Sequence, residues 1–90
     1  MNEERAVLVG AGEPRHMAEL GRLASTLGME VAAVLEQGRR DGTGYLGRGK
    51  REELRGVAES VEARFVVADD ELTASQARVL EKASGISVVD

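Results

Sequence analysis

The sequence predicts an α/β fold: a three-layer α/β/α sandwich around a four-stranded parallel sheet, with strand order 2-1-3-4. Three observations lead there. Short apolar runs alternate with segments of helical periodicity, in the order β-α-β-α-β-α-β. Alternation of this kind means parallel strands joined by right-handed crossovers, with helices covering the sheet. The strand-like runs are unbroken rather than alternating, the pattern of strands buried on both faces. The core must also be aliphatic, because the chain has one Phe, one Tyr and no Trp among 42% hydrophobic residues.

The elements follow in order. Arg5-Ala6-Val7-Leu8-Val9-Gly10 reads as the first strand. Gly10-Ala11-Gly12-Glu13-Pro14 breaks it, and Pro14 suits the first turn of a helix, where its missing N–H has no partner to lose. That helix runs to about Leu27, with Met17, Leu20, Leu23, Ala24 and Leu27 as its buried stripe. Gly28 is its C-terminal cap. Met29 to Leu35 is the second strand, followed by a glycine-rich, charged loop from 38 to 44. A second helix starts near Gly49, with Leu54, Val57, Ala58 and Val61 on one face. Arg64 to Ala68 is the third strand. Thr73-Ala74-Ser75-Gln76 is a capping box, in which Thr73 accepts from the Gln76 N–H and Gln76 reaches back. The third helix carries Ala77, Leu80 and Ala83 and ends at Gly85. Ile86 to Val89 is the fourth strand.

Ninety residues make one domain, 1–90. With no cysteine, disulfides and thiolate metal sites are excluded, and a single His excludes a multi-histidine site. No apolar run approaches the ~18–20 residues of a membrane span. The acidic start, Asn2-Glu3-Glu4, is no signal peptide. A cytoplasmic protein is expected. The net charge of −4 argues against a general nucleic-acid binder, and no DNA partner is expected. The charge is uneven, however. Between 39 and 55 stand Arg39, Arg40, Arg48, Lys50, Arg51 and Arg55 against Asp41, Glu52 and Glu53, so this segment is about +3 and the rest about −7. Such a patch can meet phosphate.

In an open parallel sheet, ligands bind beyond the carboxyl ends of the strands. Gly10-Ala11-Gly12 opens like a dinucleotide fingerprint, with Glu36 near the place of a ribose-binding acid, but Arg15 takes the third glycine position. A tight strand-to-helix turn accounts for it better. Asp69-Asp70-Glu71 could hold Mg²⁺; the acidic approach to a capped helix explains it more fully. A receiver-domain aspartate fails for want of acids after the first strand. His16, at the start of the first helix, has no matching nucleophile for a triad. Gly44 to Lys50 fits G-x-x-x-x-G-K, but Arg51 replaces the Mg²⁺-binding hydroxyl and no buried strand directly precedes Gly44. What remains is a glycine-shaped helix entrance with Arg48, Lys50 and Arg51 around its N–H groups, a plausible anion site.

Two segments carry a family resemblance. Tyr45-Leu46-Gly47-Arg48-Gly49-Lys50-Arg51-Glu52-Glu53-Leu54 resembles the YIGxGKxEEL signature of HflX-type GTPases. Asp69-Asp70-Glu71-Leu72-Thr73-Ala74-Ser75-Gln76, followed by Leu80-Glu81-Lys82, resembles that family's second signature, DDELSPxQxRNLEK, with Ala74 in place of Pro and Val79 in place of Asn. Gln37 and Arg39 are similar to a family Gln-x-Arg pattern. Leu8-Val9-Gly10 and Val88-Val89-Asp90 resemble its opening strand and its VxD ending. The signature positions are Gly47, Gly49, Asp69, Asp70, Glu71, Leu72 and Gln76.

The resemblance implies the N-terminal domain of a longer protein, followed there by a helical linker and a GTPase domain. GTP and Mg²⁺ then belong to that other domain, and this chain holds no cofactor and hydrolyses no GTP alone. The family associates with the large ribosomal subunit and splits ribosomes under stress. Large-subunit RNA is therefore the expected partner, met by Arg39, Arg40, Tyr45, Arg48, Lys50, Arg51 and Arg55, with the protein's own GTPase domain as a second partner. An ATP-binding α/β domain is the alternative.

Overall fold

The computed structural model describes residues 4–10, 14–37, 45–69 and 71–90, with side chains omitted for 14–17. The observed order is β1(Glu4–Gly10), α1(Pro14–Thr26), β2(Met29–Glu36), α2(Arg48–Ser60), β3(Phe65–Ala68), α3(Ala74–Ser84) and β4(Ser87–Val89). All pairings are parallel, and the sheet order is β2-β1-β3-β4. The predicted fold class and strand order are borne out. The expected turn at Gly10-Ala11-Gly12, the side chains of His16 and Met17, the 38–44 loop with Arg39 and Arg40, and Asp70 lie outside the described residues.

The unbroken apolar run of β1 serves two cores, because successive side chains leave a strand on opposite faces. Val7 and Val9 join Leu35, Tyr45, Leu46, Leu54, Ala58, Val66 and Leu80 on the α2/α3 side. Ala6 and Leu8 join Ala24 and Val67, with Leu20, Val31 and Phe65 packed against them, on the α1 side. β2 keeps this phase only by a shift of register. Ala6 pairs with Val31 but Val7 pairs with Ala33, so Ala32 is an extra residue in the strand. The bulge puts Val31 and Ala33 on opposite faces, which a plain strand could not do.

The caps act as the sequence predicts. Gly28 and Gly85 have φ of 86° and 78°, the left-handed region open to glycine. At α3 the Gln76 N–H donates to Thr73 Oγ1 and the Thr73 N–H donates to Gln76 Oε1, both at 3.0 Å.

The expected stripe of α1 needs correction. Ala24 is buried and Leu20 half-buried, but Leu23 and Leu27 are 61% and 76% exposed. The helix approaches the sheet through its small residues. A Cβ on Gly21 would stand 3.7 Å from Leu8 Cδ1. With Gly21 and Ala24 turned to the sheet, Leu23 is carried round to the flank. Leu27 lies one turn further on, beyond the helix end.

Candidate functional site: the entrance of the second helix

The entrance to α2 is built by three contacts that tie it to β2 and to itself. Tyr45 has φ of 69°, rare for a residue with a side chain. It is fully buried with Leu46, beside Leu35 and Leu54. The chain thus plunges into the core just before the helix. Gly47 is the N-cap in an extended conformation, and its N–H donates to Gln37 Oε1 at 2.8 Å. Gln37 is the first residue past β2, and its own N–H donates to the Gly10 carbonyl at 2.9 Å. Arg51, on the first turn, reaches back with Nη1 to the Leu46 carbonyl at 2.8 Å. A buried tyrosine, a glutamine acceptor and an arginine donor therefore fix the helix start.

The charges run against the helix. Its first turn holds Arg48, Lys50 and Arg51 and no acid. A helix N-terminus carries a partial positive charge, so each such cation costs about 0.3–1 kcal/mol at low salt. The acids come later. Arg48 Nε lies 3.7 Å from Glu52, Lys50 Nζ 3.2 Å from Glu53 and Arg55 Nε 3.3 Å from Glu59. These pairs are solvent-exposed, so each contributes about 0–1 kcal/mol. Base before acid is also the weaker order along a helix. Such cations can exchange their carboxylates for another anion at little cost. Gly49 is exposed between them, with room for a close approach: a Cβ there would meet no atom within 4 Å.

The predicted site residues thus divide. Arg48, Lys50, Arg51 and Arg55 are brought together on one helix, with Gly47 and Gly49 at its start. Tyr45 is in the core, not on that surface.

The second signature is an architectural element. Asp69 extends the sheet ladder, its N–H donating to the Val9 carbonyl at 3.0 Å. Leu72 packs on the α2/α3 core, and its N–H donates to Asp90 Oδ2 at 2.7 Å. Gln76 is buried in the capping box. Glu71 is exposed. Among the described residues no three of Asp, Glu, His or Cys converge as a metal site. No described helix is long and apolar enough to cross a membrane.

Two roles escape sequence reading. Gln37 meets Gly47 across ten residues, and Asp90 meets Leu72 across eighteen. The sequence marks both residues, Gln37 in the Gln-x-Arg pattern and Asp90 in the VxD ending, and both sit at carboxyl ends of strands, where loops and helix starts gather; it does not name their partners.

Comparison with known proteins agrees with this architecture. The model of the family described as "GTP-binding GTPase N-terminal" matches residues 14–90. The protein named GTPase HflX from Caldanaerobacter subterraneus subsp. tengcongensis is 38% identical over 95 residues, covering 99% of this chain and 22% of its own length. GTPase HflX of Alkalihalophilus pseudofirmus is 38% identical over 96 residues, covering 97% and 23%. GTPase HflX of Gluconacetobacter diazotrophicus is 33% identical over 132 residues, covering 94% and 29%. The chain spans less than a third of the length of each of these curated relatives. Both signatures, the sheet order and these matches agree: the chain belongs to the GTP-binding GTPase N-terminal family, the N-terminal domain of HflX-type GTPases.

Proposed function

We propose that this domain is the ribosome-facing, regulatory part of an HflX-type GTPase, and that it sets the entrance of α2 on the RNA of the large ribosomal subunit. The observation that carries the reading is the cationic first turn of α2, Arg48, Lys50 and Arg51, held against the helix's own dipole. An RNA phosphate there meets the helix N–H groups and the three bases together, and the unfavourable arrangement becomes a favourable one. Arg55, one turn on, extends the surface along the helix, and Arg39 and Arg40 belong to the same basic segment of the sequence. In this reading the protein is cytoplasmic, and the longer protein splits ribosomes under stress. GTP and Mg²⁺ are held by its GTPase domain, whose rate this domain adjusts, and the domain itself holds no cofactor.

The test is pelleting of the chain with isolated large subunits across a salt series. Four phosphate contacts give a slope of log K against log salt of about −2.8 to −3.6, so affinity falls roughly 50- to 150-fold between 50 and 200 mM. Arg48→Glu with Lys50→Glu is expected to weaken binding at least tenfold and to flatten the slope. Unchanged binding would remove this surface from the reading. Saturable heat on titration with ATP and Mg²⁺ would replace it with a nucleotide-binding domain.

A further inference from the structure

β4 is three residues long and pairs with β3 alone, so by itself it holds weakly the chain that leaves it. Asp90, the next residue, supplies a second hold. Its Oδ2 accepts from the Leu72 N–H at 2.7 Å, across eighteen residues of sequence. A carboxylate acceptor makes such a bond short and roughly twice as strong as a neutral one. What it grips is itself fixed. Leu72 is half-buried against the α2/α3 core. The following residue, Thr73, is the N-cap of α3, and its capping box is closed in both directions. The N–H groups of Leu72, Thr73 and Gln76 are thus accepted in turn by Asp90, Gln76 and Thr73. The carboxylate also stands at the approach to a helix N-terminus, whose partial positive charge favours it. A strand held only by its ladder can swing at its last residue; a side chain fastened there removes that freedom.

We propose that Asp90 is a positioning residue: by clasping the Leu72 N–H it fixes the direction in which the polypeptide leaves β4 for the rest of an HflX-type chain. The junction is then a stiff one, set by the entrance of α3, and not a free hinge. The matched family is an N-terminal region, and this chain covers 22%, 23% and 29% of the three relatives. Most of the polypeptide in such proteins therefore follows the matched region, and a small change of angle at Asp90 is carried to all of it. The clasp also gives the second signature and the VxD ending one shared purpose, since Leu72 belongs to the first and Asp90 closes the other. The inference rests on family membership and not on ribosome binding.

The test replaces Asp90 by Ala, which removes the acceptor, and by Asn, whose amide oxygen keeps one. Asp90 is exposed, so both variants fold. Amide exchange is read by NMR in the 90-residue chain. With Asp90→Ala, Leu72 should exchange at least tenfold faster, while Val66 and Leu80 in the core keep their rates. The second reading is the tumbling time of this domain, by NMR relaxation, in the same chain joined to the remaining sequence of the Caldanaerobacter relative, with this domain alone isotope-labelled. This chain covers 22% of that relative, so a stiff junction lengthens the tumbling time about 1/0.22, or 4.5, times over the 90-residue chain. Asp90→Ala should shorten it at least twofold, and Asp90→Asn should lie between the two. An unchanged Leu72 rate in the Ala variant would overturn the proposal. So would equal quickening at Leu72, Val66 and Leu80, which marks a general loss of stability. A tumbling time that is the same with Asp90 and with Ala, whether long or short, would overturn it as well.

Discussion

Tyr45 combines a left-handed backbone with complete burial, and replacing it separates the two effects. Tyr45→Ala and Tyr45→Gly both remove the ring from the α2/α3 core, a loss of about 3–5 kcal/mol. They differ in the backbone. A residue with a Cβ held at φ of 69° bears about 1–2 kcal/mol of strain. Glycine bears none, but its freer unfolded chain returns about 0.4–1 kcal/mol of that gain. The glycine variant should therefore be the more stable by about 0.5–1 kcal/mol, the reverse of the order at an ordinary position. A domain of this size holds roughly 5–13 kcal/mol in all, so both variants should fold in the cold. Urea unfolding followed by circular dichroism at 222 nm reads the difference. With a slope near 1 kcal/mol per molar, the midpoints should lie roughly 0.5–1 M apart. An alanine variant equal to or more stable than the glycine variant would refute the claim that the left-handed turn stores strain.

Three further outcomes test the frame around the site. Gln37→Ala removes the acceptor of the Gly47 N–H; hydrogen exchange should quicken at Gly47, with a stability loss of about 1–3 kcal/mol in urea unfolding. Thr73→Ala opens the capping box of α3 and should cost about 0.5–2 kcal/mol, read as a lowered thermal midpoint. Leu54→Ala hollows the fully buried contact of α2 with the sheet and should cost about 2–5 kcal/mol by the same unfolding assay.

Much of this molecule is readable from sequence, because its signals are local. The helix ends at Gly28 and Gly85 and the Thr73/Gln76 box each lie within a few residues of what they cap. The strand order follows from handed crossovers between elements that periodicity already separates. What escapes reading depends on phase or on distance. Val31-Ala32-Ala33-Val34 is apolar throughout, so nothing in it marks Ala32 as the bulged residue. Leu23 shares helical spacing with Ala24 and Leu20, and only the packing of Gly21 and Ala24 against the sheet, which spacing does not reveal, leaves it outward. At the site, the clustering of Arg48, Lys50, Arg51 and Arg55 is legible because one helix carries them all. The burial of Tyr45 is not, since a tyrosine among glycines and arginines reads equally well as a surface contact.

The two outer strands bear on how such a domain is recognised. A sheet edge with free N–H and C=O groups invites a passing strand to add itself. Here one edge, β4, is only three residues long. The other, β2, is interrupted by the bulge at Ala32 and carries exposed Glu30 and Glu36. Short, charged or bulged edges are the devices that discourage strand addition. Recognition by extension of the sheet, and aggregation along its edges, are therefore disfavoured. Helix faces and loop ends are the surfaces that this arrangement leaves open to a partner.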